Sequence, residues 1–279
     1  MKRAILATSL LAASLTLAMT GVAAPPKAGP SSADAPRVPT VSSLMEKELH
    51  WGLTHEEVTD LYNLPGGLFD REYAKQLAHL SPGVAQQQLE SDRDSRKANF
   101  ERSYTRFTDT PTGYDVTPLH FEYTYKNDEA VQRLLKDGKT RYFFYIKDHL
   151  WKIYDEVPLK PEGALGPSFQ EAVAKLNTLF GVPARVRPAN PATGVERTTA
   201  DWQDQATHLR ALDRSGEHLV ALAFEDKSTL NTLAMLRANK PGDPFAIDPA
   251  IAAVTKHGII DPNAAKDDGG PGKGKKKGP

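Results

Sequence analysis

The feature that most constrains this chain is a helix-start signal that occurs twice. Thr54-His-Glu-Glu57 and Ser168-Phe-Gln-Glu171 each place a hydroxyl residue three positions before a glutamate. That spacing predicts a capping box, in which the hydroxyl accepts from the glutamate's amide and the carboxylate reaches back to the cap. The first box predicts a helix from His55 to about Asn63, stopped by Leu64-Pro65-Gly66-Gly67. The second opens a helix with Phe169, Ala172, Val173, Leu176, Leu179 and Phe180 at helical spacing, stopped by Gly181-Val-Pro183. Strand-like sequence follows each helix. After the first come Leu119 to Tyr125, Tyr142 to Asp148 and Leu150 to Tyr154; after the second come Ala200 to Asp204, Thr207 to Leu212 and Leu219 to Asp226.

Matching Lys147-Asp148 with Glu225-Asp226 aligns Tyr142, Phe144 and Ile146 with Val220, Leu222 and Phe224. The predicted fold class is therefore α+β: two related modules of capped helix plus antiparallel sheet, spanning 42–158 and 159–263. The first module carries an insertion over 69–107, rich in Gln, Glu and Arg and broken at Ser81-Pro82-Gly83, which predicts two helices, the second long. Asp92 and Arg96 stand four apart in the favoured order for a helical ion pair. Leu89, Arg93, Phe100, Tyr104 and Phe107 mark the expected inner stripe. The off-face residues of the strands differ: Phe143 and Tyr145 in the first module, Ala221 and Ala223 in the second. Bulky rings in a row are costly to expose, so the inserted helices are expected to cover Phe143 and Tyr145.

The ends read differently. Lys2 and Arg3, an apolar run from Ala4 to Met19 and small residues at Gly21 to Ala24 predict an export signal over 1–23. Residues 24–41, poor in large apolar side chains, are expected to form a flexible linker, and the Lys/Gly-rich 264–279 a disordered tail. The formal charge of zero is a cancellation: losing Lys2 and Arg3 leaves −2, and setting aside the +3 of the tail leaves −5 on the body. A neutral total gives no electrostatic case for nucleic-acid binding. The chain has no cysteine, which excludes disulfides, thiolate metal sites and thiol nucleophiles. No stretch of the mature chain is expected to span a membrane.

The residues Trp51-Gly-Leu-Thr-His-Glu-Glu-Val58, with Phe144-Tyr-Ile-Lys-Asp148 and Leu150-Trp151, carry a resemblance. This plan resembles the β-lactamase-inhibitor-protein-like and SmpA/OmlA outer-membrane lipoprotein group, and larger exported bacterial proteins built from such modules. The resemblance covers two helices and their sheets. It implies helix-plus-meander modules that act through protein contacts, with no catalytic residues to carry over. SmpA/OmlA proteins are anchored through a lipidated cysteine, and this chain has none.

Reactive motifs are sparse. His55-Glu-Glu-Val-Thr59 begins a zinc-protease helix signature and fails at its last position, so no metal or cofactor is expected. His120 and Glu122 alternate on a strand, as do His208 and Arg210; His120 and Glu122, with Asp201, are the candidates for acid–base chemistry. Alternation of this kind favours a solvated sheet face instead. Trp151 is a candidate stacking surface, with hairpin packing as the ordinary reading. Lys273, Lys275, Lys276 and Lys277 offer a weak, salt-sensitive contact with anionic surfaces, each lysine contributing about 1 kcal/mol near an anionic membrane. The expected function is that of an exported, non-enzymatic binding or scaffold protein of the bacterial cell envelope with a protein partner. The alternative is a hydrolase of envelope polymer.

Overall fold

One continuous antiparallel sheet organises the molecule. The computed structural model describes residues 35–39, 41–108, 119, 122–136, 138–193 and 195–239. The expected export signal and the lysine tail lie outside these residues. Among the described residues eight strands run β1 (Thr105–Arg106), β2 (Glu129–Lys136), β3 (Lys139–Ile146), β4 (His149–Pro158), β5 (Arg185–Arg187), β6 (Thr199–Gln203), β7 (Thr207–Arg214) and β8 (Leu219–Asp226). Their spatial order is β1-β2-β3-β4-β8-β7-β6-β5, so two four-strand meanders meet at β4 and β8. The described residues also form five α-helices: α1 (His55–Asn63), α2 (Leu68–Leu77), α3 (Val84–Arg102), α4 (Phe169–Phe180) and α5 (Lys227–Leu236).

The class is α+β, as expected, and the repeated order of helix then meander is compatible with two modules. The strand equivalence inferred from sequence is not the topological one. Counting outward from the seam, β8 corresponds to β4, whereas the sequence match aligned it with β3. The stretch Leu119 to Tyr125 is also no strand where described: Leu119 sits in a turn and residues 122–128 are bends and coil. Tyr123 and Tyr125 instead pack on Phe107, with the Phe107 and Tyr123 rings stacked. The missing strand is β2, Glu-Ala-Val-Gln-Arg-Leu-Leu-Lys, a run of mostly good helix formers that pairs along its whole length with β3. Tertiary pairing overrides local propensity there.

Caps set the helices. Thr54 and Glu57 close both halves of the first box, with Glu57 N to Thr54 Oγ1 at 3.2 Å and Thr54 N to Glu57 Oε2 at 2.8 Å. The second box is half closed: Ser168 Oγ accepts from Glu171 N, while the Glu171 side chain lies against Gly166. Gly166 has φ +85°, and a Cβ there would meet Glu171 Oε2 at 2.6 Å. Substituting Thr54→Ala is expected to cost about 1 kcal/mol of stability, the usual worth of an N-cap, in thermal unfolding. No loss would mean the adjoining contacts, not the cap, hold this end of α1.

The helices α1 to α4 cover one face of the sheet. The main core lies there, with Val58, Tyr62, Phe69 and Phe100 over Phe143, Tyr145 and Ile153, and with Phe169, Leu176 and Phe180 over Trp202, Leu209 and Phe224. Phe143 and Tyr145 are both fully buried. Tyr62 of α1 and Phe100 of α3 pack on Phe143, and Tyr104 packs on Tyr145. The insertion thus covers these rings with Phe100 in the last turn of α3 and Tyr104 just beyond it, and α1 shares the work. Gln132 on β2, also fully buried, accepts from Tyr145 Oη and donates to Thr59 Oγ1, tying α1 to the sheet.

Both edge strands are short, and neighbouring chain covers the parts of β2 and β6 that they do not reach. Ser103 Oγ accepts from Arg133 N, and Arg96 donates to Leu135 O, so α3 and its end cover the part of β2 that β1 does not reach. At the other edge, residues expected in the flexible linker are docked. Ala35, Val38 and Val41 are buried, Arg37 bridges Gln203 in parallel, and Val38 N donates to Gln203 O at 2.8 Å. Composition hid this because the docking uses backbone groups and three small or medium apolar side chains.

Candidate functional site

The face of the sheet opposite α1 to α4 carries a second, smaller core and a chain of charged side chains. Phe144, Ile146, Trp151, Tyr154, Leu212, Ala221 and Ala223 form its apolar part, with Leu230, Leu233 and Leu236 of α5 against it. A shift of register between Phe144 and Tyr145 makes Trp151 the extra residue on β4. Strict alternation would send Lys152 to the same side as Leu150. The bulge re-aims it, so that Leu150 joins the main core while Lys152 points to the second face.

Lys152 is 1% exposed. Its ammonium donates to Glu122 O at 2.5 Å and Glu122 Oε2 at 2.9 Å, and lies 4.5 Å from the ring centres of Phe144 and Trp151. Arg210 of β7 links Glu122 Oε2, at 2.9 Å, to Glu225 of β8, at 2.7 Å. His208 then joins Glu225 to Asp201, and Asp201 receives Arg185 at 2.6 Å and Arg187 at 2.9 Å. Alongside, Arg237 pairs with buried Glu129 and lies over the Trp151 ring.

Glu122 and Asp201 therefore belong to one network, four contacts apart, while His120 lies outside the described residues. The expectation of a solvated polar face is overturned. Glu122, Asp201, His208 and Glu225 are 8%, 0%, 1% and 3% exposed. Both faces of this sheet are buried, and the second face buries charge in pairs. Lys152 and Glu225 went unnoticed in sequence. The available signal was a lysine inside Leu150-Trp-Lys-Ile-Tyr154, a strand otherwise apolar on both sides.

The electrostatics favour the ionised form of Glu122, Asp201 and Glu225. Burial alone would raise Glu122, but Arg210 and Lys152 bring it down to about 2. Burial likewise opposes Asp201, which His208, Arg185 and Arg187 lower to about 2. Glu225, gripped by Arg210 and His208, lies well below the usual carboxylate range despite its burial. Burial lowers Lys152 from its ordinary value, beyond what attraction to Glu122 restores. A carboxylate bound this way makes a poor proton acceptor near neutral pH, where a general base needs a pKa close to the working pH.

The remaining candidates are structural in place. Trp151 is 1% exposed, in the second core. Asp155 and Glu156, adjacent acids, diverge to opposite faces: Asp155 takes a two-pronged pair from Arg141, and Glu156 pairs with Arg214. His55 Nδ1 contacts Asp148 Oδ1 at 2.6 Å, and its ring stacks on Tyr104, fastening the start of α1 to the β3–β4 turn. Lys273, Lys275, Lys276 and Lys277 lie outside the described residues. Among the described residues no group of three or more His, Asp or Glu is placed to hold a metal ion, and no helix is long and apolar enough to cross a membrane.

One surface is built differently. Of the 19 residues of α3, only Phe100, in its last turn, is buried. The earlier turns run against α2. Lys97 pairs with Asp70 at 2.5 Å, Arg96 with Glu72 at 2.7 Å, and Asp92 with the Tyr73 hydroxyl. The expected Asp92–Arg96 pair within α3 is replaced by these cross-helix ties, because each side chain finds a partner on α2. A groove between the helices is lined by Gln76, Leu80, Ala85, Gln88, Leu89 and Asp92. Leu80 is 36% and Val84 70% exposed at its end.

Comparison of the chain with known protein families, curated proteins and solved structures yields no match.

Proposed function

We propose that this chain is an exported, non-enzymatic binding protein of the bacterial cell envelope, and that its inserted helices receive a protein partner. The observation that carries the reading is the α2–α3 hairpin. It exposes Leu80 and Val84 beside a groove of apolar and amide side chains, on a pair of helices already braced by ion pairs. A braced surface loses little conformational freedom on binding, which favours recognition. The described sheet edges and the network on the second face offer less: the edge strands are only two and three residues long, and the charges are paired with one another. The hydrolase alternative, through His120, Glu122 and Asp201, draws no support from carboxylates held this far below neutrality.

The test is capture from an envelope extract with the wild-type chain and with Leu80→Glu and Leu89→Glu variants of unchanged circular dichroism. A partner held by the wild type is expected to be lost by at least about tenfold in each variant, since a charge placed in an apolar contact costs more than the roughly 1.4 kcal/mol that factor represents. Equal retention by all three forms, or no capture together with turnover of an envelope polymer, sinks this reading.

A further inference from the structure

Both ring nitrogens of His208 face carboxylate oxygens. Nδ1 lies 2.9 Å from Glu225 Oε2 on β8, and Nε2 lies 3.3 Å from Asp201 Oδ2 on β6. An ionised carboxylate only accepts hydrogen bonds, and a neutral imidazole carries one N–H, so both contacts are made together only by the imidazolium. The other charged groups near it, among the described residues, come from every neighbouring strand. Arg185 and Arg187 of β5 share Asp201, Arg210 of β7 shares Glu225, and beyond Arg210 lie Glu122, in the coil before β2, and Lys152 of β4. The end of β6 beside this joint also holds the amino-terminal segment. Gln203 N donates to Pro36 O at 2.9 Å, Gln203 Nε2 donates to Ala35 O at 2.6 Å, and Val38 N donates to Gln203 O at 2.8 Å.

We propose that His208 is a pH-operated latch: as the imidazolium it clips Asp201 to Glu225 across β7, and its deprotonation in alkaline surroundings slackens β6 and releases the Ala35–Val38 segment. The latch does not depend on the partner surface of α2 and α3. Losing the proton turns a lone pair toward one of the two carboxylates, so one contact becomes repulsive while the arginines remain in place. Burial works against the charged ring, but its bonds to Asp201 and Glu225 raise its pKa above the ordinary value. The stabilisation is therefore complete below the unfolded imidazole value of about 6.5 and is lost as pH rises through the higher folded midpoint.

The test follows the His208 ring by NMR in the full chain, together with hydrogen exchange at the Val38 and Gln203 amides, corrected for the intrinsic rate. The expected result is a His208 midpoint above about 6.5. Protection of both amides should fall across that midpoint, by roughly tenfold for each unit the folded value lies above the unfolded one. In His208→Gln, neutral at every pH, the step should vanish. A midpoint at or below the ordinary value overturns the latch, as does protection that stays level across it. A step surviving unchanged in His208→Gln assigns the response to another group, such as Lys152, and overturns it as well. Should His208→Gln fail to fold, the wild-type midpoint and its coincidence with the amide step decide alone.

Discussion

Substituting Arg210→Met is expected to lower stability by about 3 kcal/mol, because removing one partner of a buried ion pair strands the others in a medium that solvates them poorly. For a folded unit of this size that is a fall in melting temperature of about 6–12 °C. Among the described residues Arg210 is the one that pairs with both Glu122 and Glu225, so its loss leaves Glu122 to Lys152 and Glu225 to His208. Calorimetry of the variant measures the loss. Adding Glu225→Gln should recover part of it, since the stranded charge is then absent, and a double-mutant cycle isolates that coupling. A loss under about 1 kcal/mol would place Arg210 among ordinary surface pairs and contradict the buried network.

The second large effect belongs to the other face. Phe143→Ala is expected to cost roughly 3–5 kcal/mol, the usual range for removing a buried phenylalanine and leaving a cavity. Phe143 is fully buried, with Tyr62 at 5.8 Å and Phe100 at 5.8 Å between ring centres, and Phe69 packs behind both of those rings. The cavity would open where α1, α3 and β3 meet, and rings held by one another on three sides cannot collapse into it. Thermal unfolding followed by near-ultraviolet circular dichroism should show the loss of stability and a weakened aromatic signal. Phe143→Leu should retain most of the stability. If Phe143→Ala melts within about 1 kcal/mol of the wild type, the insertion contributes little to this core.

Much of the frame was legible because it rests on local chemistry. The Thr54 and Ser168 caps announce α1 and α4, Ser81-Pro82-Gly83 separates α2 from α3, and alternation marks β3, β7 and β8. Two elements misled for opposite reasons. Leu119 to Tyr125 alternates well, yet Tyr123 satisfies its apolar surface by stacking on Phe107 rather than by pairing in the sheet. β2 alternates poorly and is built from helix formers, yet an open edge of β3 recruits it. The candidate groups divided in the same way. Alternation located Glu122, Asp201, His208 and Arg210, but burial, which decides whether such groups are solvated or paired, is a property of what lies over the strand.

The repeated plan that opened the sequence is compatible with the two meanders, each of which follows a capped helix in the chain. What the sequence determined by itself is whatever residues within a few positions of one another decide: the caps, the breaks, the strand periodicity and the α+β class. Only the tertiary structure decided that the meanders join along β4 and β8 into one sheet, that a bulge at Trp151 turns Lys152 toward Glu122, and that His208 stands between two acids. The reason is physical. A capping bond closes over three residues, whereas the contact of Lys152 with Glu122 spans 30 and that of Arg210 with Glu122 spans 88, and such separations carry no local signature until the sheet brings them together.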